Sequence, residues 1–266
     1  MNVPDTSDLL QTLLLGVAAG LVGGLAGVGG SVVVIPGLHL VFGDDPASRH
    51  HLYMAAAMMV NVAVAFPAAR QHARAGAIRR DLLPSLLWSA LVGIVAGVLT
   101  SNLIDGDKLK VGLAAFIGLY CLYLVARILG GSTETQAAAA DVNRGKLLVS
   151  GGLAGFVGGV LGLGGGVILV PMLQLLCGIR LKQAIATSSA VICVTALIGA
   201  GIKVGTLGDH DQSIRDALLL AALMAPTAVL GAALGARLTH RLPLQWVRGV
   251  IIALLLLAAS RMAGAW

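Results

Sequence analysis

The groups in this chain best placed to do chemistry are backbone amides rather than side chains. Two glycine-rich segments, AGLVGGLAGVGGSVVVIP from Ala19 to Pro36 and AGFVGGVLGLGGGVILVP from Ala154 to Pro171, align at an offset of 135 residues. Ten of the 18 paired positions are identical and six glycines coincide, so the second segment is a repeat of the first. Glycine loses more backbone freedom on folding than any other residue. Six of them at matched positions in apolar sequence mark backbones that are broken or closely packed. Where a half-helix begins, its first N–H groups lack partners and its dipole end is positive. Two such starts converging in mid-membrane would hold an oxyanion without a buried Lys or Arg. Gly29, Gly30 and Ser31, with Gly164, Gly165 and Gly166, are the expected break and binding positions. Gly16, Gly20 and Gly24, like Gly151, Gly155 and Gly159, have the small-xxx-small spacing of close helix packing.

Side chains narrow the chemistry mainly by what they omit. All 12 Asp and Glu lie outside the apolar runs. Carriers of cations and many proton-coupled pumps keep acids inside the membrane, where they are costly, so an anion is the better substrate. Asn61, Thr187 and Ser188 could complete an oxyanion shell or bond helix carbonyls. An offset of 129, the separation of Gly76 from Gly205, sets Met58 and Met59 against Thr187 and Ser188. His39 and Gln174 each stand three residues after a motif proline, Pro36 or Pro171, and all four are read as support for the broken backbone. Arg74 and Lys203 read as interfacial anchors that snorkel, and His50, His51 and His72 as loop residues. Cys121, Cys177 and Cys193 lie in apolar runs without metal or redox spacing and read as packing residues. No metal or cofactor is expected, and no nucleophile-elbow motif surrounds Ser31 or His39.

The elements that must position these groups are membrane helices. Hydrophobic residues make up 58% of the chain and charged residues 11%, with mean hydropathy +0.93, whereas soluble domains carry about 25% charge. The net charge of +6 resides in short connectors, which fits topology-setting loops and gives no nucleic-acid footprint. The N-terminal stretch lacks the basic region of a cleaved signal, so the first apolar run is expected to be retained. The runs Leu9 to Gly43, Leu52 to Ala69, Leu82 to Thr100 and Val111 to Ala126 are followed by Leu147 to Gly178, Gln183 to Ile202, Ala217 to Ala236 and Val250 to Ser260. The expectation is an all-α, polytopic membrane protein of two homologous four-segment repeats, residues 1–130 and 147–266, joined by a linker at 131–146.

The first run of each half is too long for one crossing. Thirty-five residues from Leu9 to Gly43 would make a helix of about 52 Å, against a hydrocarbon core of about 30 Å. A discontinuous element follows, with a helix to about Gly27, a break at Val28-Gly29-Gly30 and a shorter second piece. Val32 to Ile35 favour extended chain, and Pro36 would suit the first turn of a helix. If the element crosses once, the 18 Lys and Arg divide ten against eight. If it enters and returns, they divide twelve against six, nearer the positive-inside bias. The second arrangement has an odd number of crossings per half and hence an inverted repeat; it is favoured, with a parallel arrangement still open.

The double Gly-x-x-Gly-Gly-x-x-Gly-x-Gly-Gly-(Gly/Ser)-x-x-x-x-Pro motif, Ala186-Thr187-Ser188 and the four-plus-four plan resemble the TauE/SafE sulfite exporter family, also called toluene-sulfonate uptake permeases. The resemblance implies an inner-membrane carrier, embedded in a lipid bilayer, for sulfite, sulfonates or related small organic anions. Ser31 in place of a third glycine, and Met58-Met59 opposite Thr187-Ser188, are departures that make the polar lining unequal between halves. An anion leaving an inside-negative cell gains about 2.3 kcal/mol per 100 mV, so export needs no coupling ion whereas uptake does; export is the expectation. The sequence leaves open which anion is carried and whether the carrier is a homodimer.

Overall fold

A computed structural model describes residues 6–42, 49–129, 142–241 and 249. Every regular element among the described residues is helical: α1 (Thr6–Ala26), α2 (Ser31–Phe42), α3 (His50–Arg74), α4 (Leu83–Ser101), α5 (Gly106–Leu129), α6 (Arg144–Val160), α7 (Gly166–Leu175), α8 (Leu181–Gly205), a 3-10 turn (Leu207–His210) and α9 (Ile214–Arg241). Five are long and apolar enough to cross a membrane, namely α1, α3, α4, α8 and α9, while α2 and α7 are shorter apolar helices. Their outer faces carry Phe66, Trp88, Val92, Leu197 and Leu230 in the open, as lipid contact requires. The expected last span, Val250 to Ser260, and most of the expected linker lie outside the described residues.

Both glycine motifs are broken helices. α1 stops at Ala26 and α2 starts at Ser31; α6 stops at Val160 and α7 starts at Gly166. The gaps are bridged by left-handed backbone at Gly27, Gly29, Gly162, Gly164 and Gly165, conformations in which a Cβ is strained. The expectation of extended chain at Val32 to Ile35 is overturned, since helix α2 runs through them and past Pro36, and α7 likewise runs past Pro171. The reason is solvent: inside a bilayer a chain must satisfy its own N–H and C=O groups, and a helix does so within one segment despite β-branched side chains.

Each second piece doubles back on the first. Leu15 of α1 packs over Gly37 of α2, and Ser150 of α6 lies 3.9 Å from Cys177, just beyond α7. The first run of each half is therefore a helical hairpin. The halves are also interleaved, because α1 lies along α9 and α6 along α4, while α3 packs on α8. Two cross-half contacts fix the register: Gly27 meets Ile185, and Gly162 meets Met54. Their reciprocity relates α3 to α8 at an offset of 131, two more than the sequence alignment used. Thr187 and Ser188 thus answer to Ala56 and Ala57 rather than Met58 and Met59, and Asn61 answers to Ile192.

Glycine seams let these helices touch backbone to backbone. A Cβ on Gly20 or Gly24 would run into the Ala228 or Ala232 carbonyl of α9, and one on Gly155 or Gly97 would hit Ala90 or Phe156. The small-residue spacing is therefore packing, as the sequence suggests. Gly20→Val or Gly155→Val should lower the melting temperature of the detergent-solubilised protein, by the equivalent of about 1–3 kcal/mol for overpacking. Gly201→Ala, where nothing lies within 4 Å, should leave it unchanged or slightly raised.

Candidate functional site

Asn61 sits halfway along α3, fully buried, between the two breaks. Its Oδ1 accepts the Ser31 backbone N–H at 2.8 Å, and its Nδ2 donates to Ser31 Oγ at 2.8 Å and to the Leu163 carbonyl at 3.3 Å. The amide orientation is set by chemistry, because the Ser31 N–H can only donate. One side chain thus caps the start of α2 in the first half and holds an exposed carbonyl of the break in the second. Gly29 and Gly164 both abut it, each so close that a Cβ would collide with the amide.

Three further carbonyls at the breaks are taken up by hydroxyls from α8 and α9. Ser188 Oγ donates to the Gly27 carbonyl at 2.8 Å, crossing from one half to the other. Thr195 Oγ1 donates to the Gly164 carbonyl at 3.1 Å, and Thr239 Oγ1 to the Leu25 carbonyl at 2.8 Å. Gly166, the first residue of α7, faces the Gly27 carbonyl and Val28, with Ile192 packed over it. The starts of α2 and α7 are therefore brought together at the centre of the bundle, and their positive dipole ends with them. The surroundings are unequal: a polar amide stands at one start and an isoleucine at the other.

Of the residues expected at the site, Gly29, Gly30, Ser31, Asn61, Gly164, Gly165, Gly166 and Ser188 are gathered here, all buried. Thr187 is elsewhere: its Oγ1 accepts the Arg79 backbone N–H at 3.1 Å and ties down the α3–α4 connector. Arg79 is itself clamped on Asp81, with Nη2–Oδ2 at 2.6 Å, and this hydrogen-bonded guanidinium holds the Asp81 carboxyl below the usual carboxylate range. Pro36 and Pro171 are internal to α2 and α7. His39 lies well past the break and pairs with His50 at 3.0 Å, and Gln174 lies in the last turn of α7. Thr195 and Thr239 also bond carbonyls of their own helices, Val191 at 3.2 Å and Gly235 at 3.1 Å, the common role of a threonine in a span, and only the fold brings a second carbonyl to each.

Two polar clusters, one at each end of α3, overturn three expectations. Lys203 does not snorkel; it is fully buried, with Nζ 2.7 Å from His51 Nδ1, 3.0 Å from Ser101 Oγ and 2.7 Å from Asn102 Oδ1. His50 and His51 are in the first turn of α3 and buried, rather than in a loop. His72 is buried in the last turn of α3, 3.0 Å from His240. Arg74, by contrast, is exposed at a helix end. Among the described residues, no group of three or more His, Cys, Asp or Glu is placed to hold a metal ion.

The family described as sulfite exporter TauE/SafE matches residues 12–262. The chain belongs to that family. It is similar to the probable membrane transporter protein MamO of Magnetospirillum gryphiswaldense, with 28% identity over 96% of this chain and 45% of the relative. It is also similar to the probable membrane transporter protein YunE of Bacillus subtilis, with 24% identity over 94% of this chain and 95% of the relative, and to a probable membrane transporter protein of Haemophilus influenzae, with 29% identity over 68% of each. The chain spans about half the length of the MamO proteins it matches. No solved structure matches it. The broken, amide-bridged centre is this chain's candidate functional site.

The bridge itself can be tested. Asn61→Leu leaves the Ser31 N–H and the Leu163 carbonyl buried without their partner, at about 1–3 kcal/mol for each group left unsatisfied. Thermal unfolding in detergent should show a clear loss of stability, with Asn61→Asp intermediate because it keeps the acceptor and loses the donor.

Proposed function

We propose that this protein is a membrane transporter that carries small anions, sulfite or an organosulfonate, outward across the inner membrane, and that its halves form an inverted repeat. The observation that carries the reading is the meeting of the α2 and α7 starts around Asn61. Asn61 Oδ1 accepts the Ser31 N–H as an anion oxygen would, so the amide acts as a stand-in ligand while the centre is closed. A sulfite or sulfonate oxygen that displaced it would find that N–H, Ser31 Oγ and the start of α7 within reach. Anion recognition by helix starts needs no buried charge at the centre, in keeping with apolar runs that carry no carboxylate.

The inverted repeat is supported by the two hairpins, which approach from opposite ends of the bundle. α2 returns toward the end where His39 meets His50, and α7 toward the end where Thr187 meets Arg79. With that assignment Arg70, Arg74, Arg79, Arg80, Arg180, Lys182, Arg237 and Arg241 share the second end, which the positive-inside rule assigns to the cytoplasm. Outward movement of a monovalent anion then runs down the membrane potential. A second reading, uptake coupled to an ion gradient, draws support from the buried Lys203–His51 cluster, which supplies titratable groups inside the spans.

Flux separates the two. Purified protein in liposomes should concentrate labelled sulfite or methanesulfonate on the positive side when a potential is imposed without any proton or sodium gradient. The limit for a monovalent anion is about fifty-fold per 100 mV. Transport only when a proton or sodium gradient is present would select coupled uptake, and flux of neither anion would remove the substrate assignment.

A further inference from the structure

Lys203 is buried with three hydrogen-bond acceptors and no carboxylate among them. Its partners are His51 Nδ1, Ser101 Oγ and Asn102 Oδ1, so all three ammonium protons are placed and the positive charge is not neutralised. Ionisable residues inside a membrane are expensive and kept for function. His51 is bonded at both ring nitrogens, with Nε2 3.2 Å from the Ile104 carbonyl in the α4–α5 connector. The ring of His210, in the partly exposed 3-10 turn, stacks on it at 3.7 Å. Lys203 is thus hydrogen-bonded to His51, and the His51 ring lies against the partly exposed 3-10 turn and the α4–α5 connector.

We infer that the Lys203–His51 pair is a proton-exchange site, open only on the side of that turn and connector, whose charge sets how tightly the central site holds an anion. The inference rests on the anion reading given above. The proton balance is simple. His51 Nε2–H gives its proton to water at the connector while Nδ1 takes one from the Lys203 ammonium across 2.7 Å. The Nδ1–H tautomer of neutral His51 and a neutral Lys203 amine remain, with one proton released; uptake reverses each step. Because the proton enters and leaves at the same end, it tunes affinity and does not itself drive transport.

The neighbours do not cancel this charge. On α3 stand His50 and His51, with His39 of α2 beyond His50. The α4–α5 connector offers Asp105, which is already paired with Lys108 at 2.8 Å in the open, and α5 begins with Asp107, Lys108 and Lys110. The 3-10 turn adds Asp209 beside His210. Burial, then the Lys203 charge, hold the His210 imidazole below its ordinary range. A base shifted in that sense contributes stability above its unfolded pKa of about 6.5 that is lost as pH falls. Lys203 lies eight residues along α8 from Thr195, or about 12 Å. A unit charge at that distance, at an effective dielectric of about 20, changes anion affinity on the order of tenfold.

The test uses methanesulfonate, whose charge is fixed, and the purified full chain in detergent titrated by calorimetry from about pH 6 to 9. The native protein should bind about tenfold more weakly at the alkaline end and take up protons on binding, seen by comparing buffers of different ionisation heat. Lys203→Met should bind weakly at every pH without proton uptake, and Lys203→Arg tightly at every pH. Matching pH profiles for native protein and Lys203→Met, or native binding without proton uptake, overturns the inference. Thermal unfolding without anion gives an independent reading: the acid-side loss of stability below about pH 6.5 should be smaller in Lys203→Met. If that difference appears while the native protein binds no methanesulfonate at any pH, the control by anion affinity falls together with the anion reading, and the titrating cluster alone stands.

Discussion

A helix broken inside a bilayer exposes N–H and C=O groups that no water can satisfy, and the rest of this structure follows from how those groups are paired. Asn61 does most of it with one amide, serving Ser31 in one half and Leu163 in the other. Ser188 and Thr195 of α8 take the carbonyls of Gly27 and Gly164. Each hairpin is thus stitched to a helix outside itself, and the two tips are stitched to each other. The glycines are required twice over, since several hold left-handed backbone while others let α1 meet α9 and α6 meet α4.

On the proposed anion reading, the same pairing lets a site for anions exist without a charge in it. A helix start is a partial positive charge only while its N–H groups are free to turn to a ligand. With Asn61 in place the Ser31 N–H is satisfied and the centre can stay dry. Moving α3 relative to α2 by a small amount would exchange the amide oxygen for a solute oxygen at little net cost in hydrogen bonds. The unequal flanks, Asn61 at one start and Ile192 at the other, would on that reading offer an anion a polar side and an apolar side, which suits a sulfonate with an organic tail.

Much of this was legible in the residues. The paired glycines located both breaks within a few positions, the excess length of Leu9 to Gly43 required two pieces, and Asn61 and Ser188 stood out as polar groups in apolar runs. Secondary structure after the breaks was not legible, because Val32 to Ile35 obey a soluble-protein propensity that the bilayer overrides. The register between α3 and α8 was missed by two residues, since only the reciprocal contacts of Gly27 with Ile185 and Gly162 with Met54 reveal it. Lys203, His51 and His72 sit at span ends in the sequence, where a snorkelling anchor and a buried ion look alike. Their burial depends on α4, the 3-10 turn and α9 closing over them, which no local pattern encodes.

The central claim is that the amides starting α2 and α7 receive the anion, and selective nitrogen-15 labelling of serine and glycine reads those amides directly. Titrating sulfite into the labelled protein should move the Ser31 and Gly166 amide resonances together, saturating at one affinity, and Asn61→Asp should abolish both shifts. Saturable sulfite binding that leaves these two amides unmoved would place the anion elsewhere and contradict the account.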